Sequence, residues 1–209
     1  ILEDGCEVGS HFMIREAIRN GAHYWNAGLS GACKGGHTKI AENMIERGAD
    51  NLDHGFHRAC RYNQLETIDM LIAKGIDDWA GGFYGACEGG HVELVKSMTD
   101  RMVITCWNDG MESACASGNQ EMIQFLIDNG ANLWDYGFYG ACGGGHMPLM
   151  KQMIERGKLD DRRLWEIGLL CACEGGQVDI ATWLVENKGA DANQDIVNEA
   201  LQYACCSDN

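Results

Sequence analysis

Apolar residues recur along this chain in two alternating rhythms. In the first, a Leu, Phe or Met stands four positions before a cysteine that itself follows alanine, at Leu29, Phe56, Phe83, Met111, Phe138, Leu169 and Leu201. Spacings of three and four residues put these side chains on one face of a short helix. In the second, apolar pairs come four apart, as in Leu94/Val95 with Met98, Met122/Ile123 with Leu126/Ile127, and Leu149/Met150 with Met153/Ile154. That is the buried stripe of a second helix. Between the two runs falls Gly-Gly-His or a near copy of it, which stops the first helix. Gly48, Gly75, Gly130, Gly157 and Gly189 then close most second helices, as residues able to take a positive φ. Pro148 lies in the first turn of its helix, where the missing N–H costs nothing. The pattern predicts helix–turn–helix units, for example Asn26–Gly35 followed by Thr38–Arg47.

The units keep a register. Cys6, Cys33, Cys60, Cys87, Cys115, Cys142, Cys173 and Cys205 are separated by 27, 27, 27, 28, 27, 31 and 32 residues, which is a repeat period and not a metal-ligand spacing. Trp25, Trp79, Trp107, Trp134 and Trp165 each stand eight residues before such a cysteine. Asn26, Asp53, Asn108, Asp135 and Asn198 come next in five of seven units and read as helix N-caps, accepting from a first-turn amide. Units of this size cannot bury their apolar faces alone, so stacked neighbours must share one core.

The strings Gly31-Ala32-Cys33-Lys34-Gly35-Gly36-His37, Gly85-Ala86-Cys87-Glu88-Gly89-Gly90-His91 and Gly140-Ala141-Cys142-Gly143-Gly144-Gly145-His146, with Gly48-Ala49-Asp50 and Gly189-Ala190-Asp191, resemble the ankyrin repeat. Leu29 matches that family's helix-opening Leu, and Ala32-Cys33 its Ala-Ala pair. The resemblance covers essentially the whole chain. It implies an all-α, ankyrin-like helix-turn-helix solenoid over residues 1–209, a single array of about six full and two partial repeats. Two departures stand out. Most units are six residues short of the family period of about 33, at the place where the family carries a β-hairpin finger, so most fingers are expected to be tight loops. Longer loops are expected only at Gly157–Trp165 and Gly189–Val197. The family's Thr-Pro-Leu-His opening is also replaced by Trp-Asn-x-Gly-Leu, a variant that looks like the ankyrin-like repeats of large DNA viruses of amoebae.

Composition narrows the function. A formal net charge of −15 opposes binding to a nucleic-acid backbone or an anionic membrane. No apolar run reaches membrane-spanning length. Ile1 to Gly9 carry acids and no basic leader segment, and with no initiator Met the chain is expected to begin inside a longer protein. Stacked helices lie roughly 10 Å apart, whereas a disulfide needs Cα atoms within about 7 Å. The repeat cysteines are therefore expected to be reduced, buried and metal-free, in a reducing intracellular compartment: host cytoplasm, or a virus particle on the viral resemblance. Cys171-x-Cys173 and Cys205-Cys206 lack the gap of a zinc knuckle. Each Cys33/His37-type pair suggests a nucleophile and its base, but three equal copies without an orienting third group or an oxyanion donor argue against an enzyme. No cofactor and no small-molecule substrate are expected.

What remains is a protein-binding module, with a structural component of a virus particle as the alternative. In the resembled family, positions on the first helix line the concave surface. Here the positions six and two before the cysteine and one after it vary between copies: His54, Arg58 and Arg61; Gly81, Gly85 and Glu88; Asp109, Ser113 and Ala116; Tyr136, Gly140 and Gly143. The partner-binding residues expected from this are His54, Arg58, Arg61, Glu88, Asp109 and Tyr136, with Arg58 and Arg61 meeting an acidic group.

Overall fold

The computed structural model describes residues 1–76, 78–101 and 107–188, among which there are α-helices and no strand. They fall into two compact units, Ile1–Ile104 and Thr105–Asn209. Unit 1 holds α1 (Leu2–Glu7), α2 (His11–Arg19), α3 (Trp25–Gly35), α4 (Thr38–Glu46), α5 (Leu52–Arg61), α6 (Leu65–Ala73), α7 (Trp79–Gly89) and α8 (Val92–Arg101). Unit 2 holds α9 (Trp107–Ser117), α10 (Gln120–Asp128), α11 (Trp134–Gly143), α12 (Met147–Gly157), α13 (Arg162–Glu174) and α14 (Val178–Lys188). Odd-numbered helices are the inner ones. Within each unit they pack on one another in chain order, each with its even-numbered outer helix behind it. Among the described residues, the expected fingers are reduced to short loops at 47–51 and 129–133. No described helix is long and apolar enough to cross a membrane.

The core is built as the periodicity requires. Leu29, Phe56, Phe83, Met111 and Phe138 are buried with the Ala-Cys pairs, and Met44, Leu71, Met98, Leu126 and Met153 meet them from the outer helices. Tryptophan joins neighbours: Trp79 stands edge-on to Phe56 at 5.7 Å, and Trp165 to Phe138 at 5.5 Å. At three repeats a cation from the end of the same repeat's outer helix lies over the indole, Arg47 over Trp25 at 5.3 Å, Arg156 over Trp134 at 5.6 Å and Lys188 over Trp165 at 4.5 Å.

Local details differ from the sequence expectation at three places. Helices begin at the Trp position itself, so the expected caps Asn26, Asp53, Asn108 and Asp135 lie inside the first turn, while Asn198 lies outside the described residues. The capping acceptors stand two residues earlier: Asn51 Oδ1 accepts from the His54 amide at 3.3 Å, and Asp78 Oδ1 from the Gly81 amide at 3.2 Å. Asn26 instead ties its repeat to the next, its Oδ1 accepting from the amides of Asp50 (2.9 Å) and Asn51 (3.0 Å). Asn108 does the same to Asn132 (2.8 Å) and Leu133 (2.9 Å). The loop expected before Trp165 is largely absorbed into α13, which starts at Arg162, is capped by Asp161 and gains an Arg162–Glu166 pair one turn apart. Gly157 ends α12 in helical conformation and Lys158 takes the left-handed turn; a Cβ on Gly157 would press on Trp134. The loop expected from Gly189 to Val197 lies outside the described residues.

Glycine sets how near the inner helices come. Gly31 and Gly35 of α3 face the carbonyls of Glu3 and Glu7, Gly85 and Gly89 of α7 those of His57 and Arg61, and Gly140 of α11 and Gly144 beyond it those of Glu112 and Ala116. At each of these sites a Cβ would collide with the carbonyl oxygen of the preceding inner helix. The corresponding places on α5 and just past its end carry Arg58 and Tyr62, so α5 meets α3 through side chains and not backbone.

Candidate functional site

The arrangement that stands out in unit 1 is the inner-helix face at α3, α5 and α7. Its aromatic centre is a row of near-parallel rings: His54 on His57 with centroids 6.4 Å apart, and His57 on Tyr84 at 6.0 Å. Ser30 Oγ and His54 Nε2 share a hydrogen bond of 3.2 Å from α3 to α5. Beside this row, Tyr62 lies among three cations, with Lys34 at 5.4 Å, Arg58 at 5.6 Å and Arg61 at 5.8 Å from its ring. Lys34 is paired with Glu7 at 2.7 Å and Arg61 with Glu88 at 2.7 Å. Arg58 has no carboxylate among the described residues, and its buried Nε has no hydrogen-bond partner. His57 is in a similar position: its Nδ1 is buried without a partner, while Nε2 faces Glu88 at 3.5 Å. Burial pushes the His57 imidazole below its ordinary value, against the pull of Glu88 and helped by His54, Arg61 and Arg58.

The sequence-predicted residues divide between the two units. His54 is exposed and Arg58, Arg61 and Glu88 are half-buried on this one face, brought together by α5 and α7. Asp109 is exposed and Tyr136 half-buried in unit 2. The expected three-position stripe needs correction. The position two before the cysteine lies toward the preceding inner helix, which is why Gly85 and Gly140 are buried, while the longer side chain of half-buried Arg58 reaches from there to Tyr62 at the edge of the open face. The open face is formed by the positions six and three before it and one after it. Sequence reasoning therefore missed His57, Tyr84, Glu112 and Tyr139. In unit 2 the equivalent positions carry Asp109 and Glu112 with Tyr136 and Tyr139; burial first, then Asp109, holds the Glu112 carboxyl above its ordinary value.

The Cys/His pairs are occupied otherwise. Cys33, Cys60 and Cys115 are fully buried, and burial pushes their thiols up to about 12, far from a nucleophilic thiolate at neutral pH. The histidine ring reaches back to the preceding repeat: His91 Nε2 donates to the Arg61 carbonyl at 2.8 Å, and His146 Nε2 to that of Ala116 at 3.1 Å. Gln64 makes the equivalent bond to Lys34 at 3.1 Å. No group of His, Cys, Asp and Glu among the described residues is arranged to hold a metal.

No family model matches the chain, and no curated protein does. Among solved structures it is similar to the human ASB11 ankyrin repeat domain, at 20% identity over 71% of this chain and 82% of that one, with a TM-score of 0.41. A likeness at that level assigns neither ligand nor site. The residues of the inner face carry the functional argument.

Proposed function

We propose that the chain is a protein-interaction module whose unit 1 inner-helix face binds an extended acidic segment of its partner. The observation that carries this is Arg58, a half-buried guanidinium with no carboxylate among the described residues, set beside Lys34, Arg61 and two histidines. A chain with a net charge of −15 has carboxylates in excess, yet this face leaves a cation for another molecule to neutralise. Charge-assisted hydrogen bonds to a guanidinium are the stronger kind, and Arg is enriched where binding energy concentrates. Exposed Tyr62 and Tyr84 add rigid contact area on either side.

The test is the affinity of an extended Glu- and Ser-rich peptide, read by fluorescence anisotropy. Arg58→Glu is the informative change, because Arg61 already holds Glu88 and its reversal would also break that pair. Arg58→Glu is expected to weaken the peptide at least tenfold, about 1.4 kcal/mol, while circular dichroism and melting stay close to the parent. Equal affinity in the two proteins moves the site off this face.

A further inference from the structure

His57 gives this face a dependence on protons, and the inference rests on the acidic-segment reading above. We infer that His57 takes up a proton when the acidic segment binds, so that the face holds its partner more tightly as the solution is acidified. His57 sits at the crossing of α5 and α7. The charges acting on its ring are Glu88 from α7, and His54, Arg58 and Arg61 from its own helix. Tyr84 stacks on it from α7, and α3 brings Ser30 to His54 and Lys34 to Tyr62. No charge on α3 or α6 figures among the influences on the His57 ring.

The free face is therefore short of negative charge. Its carboxylate Glu88 has one oxygen on Arg61 at 2.7 Å, which leaves the other, 3.5 Å from His57 Nε2, to serve the imidazole. A positive charge on the ring would meet Arg58, Arg61 and His54, with its Nδ1–H buried and unbonded. An incoming carboxylate removes that obstacle, since an opposite charge nearby favours the charged imidazole. What the ligand does for protonation, protonation does for the ligand, because the two binding events are thermodynamically linked. The segment's own Glu residues stay ionised above about pH 5, so their titration does not mask the effect.

The experiment measures the anisotropy of the same Glu- and Ser-rich peptide on the whole chain at about pH 7.5 and about pH 5.5, bracketing the ordinary histidine range. The parent is expected to bind about tenfold more tightly at the lower pH, the gain that follows when uptake averages about half a proton across those two pH units. His57→Gln is expected to flatten that change. The imidazole proton resonances of His57, followed by NMR, should titrate at higher pH with peptide than without. Binding of equal strength at both pH values overturns the proton coupling and leaves the acidic-segment reading standing. A slope that survives in His57→Gln also overturns it. Absence of binding at either pH overturns both.

Discussion

At the residue scale, the repeated cysteine is a packing residue whose chemistry is suppressed by where it sits. Cys33, Cys60 and Cys115 are without exposure, and burial raises their thiols to about 12. The linkage has a definite sign. The folded chain keeps these protons where the unfolded chain, titrating near the ordinary thiol value, has lost them. Stability is therefore full below that value and falls as pH rises through it toward about 12. Each such thiol contributes a slope of about 1.4 kcal/mol per pH unit in that window. Urea midpoints are expected to drop steeply above about pH 9, and thiol reagents to react slowly until the chain unfolds. A midpoint that is flat in alkali, or fast native-state labelling of Cys33 and Cys60, contradicts this. The burial was legible from the sequence, because cysteine kept one register on an apolar face through eight copies. The role of the Gly-Gly-His histidine was legible only in part. That it bonds backbone follows from its place at a turn; that the carbonyl belongs to the preceding repeat depends on how repeats stack.

At the scale of the element, the short helices were readable and their joints were not. Apolar period, glycine stops and Pro148 agree with the helices found, from α3 at Trp25–Gly35 to α12 at Met147–Gly157. The cap was misplaced because an Asn two residues into a helix and an Asn before it are equally good acceptors on paper. Only the position of the following loop shows that Asn26 serves Asp50 and Asn51. The open stripe was misread for a related reason. Small residues four apart, Gly31/Gly35, Gly85/Gly89 and Gly140/Gly144, mark the side where inner helices touch, and that signal lay in the sequence. It leads to a prediction with opposite signs three residues apart. A Cβ at Gly140 collides with the Glu112 carbonyl, whereas one at Gly143 finds Cys171 O at an ordinary 3.5 Å. Gly140→Ala is expected to cost about 1–3 kcal/mol as an overpacked contact. Gly143→Ala is expected to add up to about 1 kcal/mol through lower backbone entropy in the unfolded chain. Chemical denaturation of the two variants checks both, and equal effects would contradict the backbone-contact account.

At the scale of the molecule, composition and local charge point in different directions. The chain is acidic, with 31 Asp and Glu against 16 Lys and Arg. Unit 1 nevertheless turns Lys34, His54, His57, Arg58 and Arg61 to one face, while the matching positions of unit 2 carry Asp109 and Glu112. A bulk net charge averages such faces away, so composition alone speaks to solubility and not to the partner. The most direct test of the central claim is a map of amide chemical-shift changes on adding the Glu- and Ser-rich peptide. The account predicts changes gathered on α3, α5 and α7 around His54, His57, Arg58, Tyr62 and Tyr84, fading as salt screens the charges. Changes centred on the outer helices α4, α6 and α8, or none at all, would contradict it.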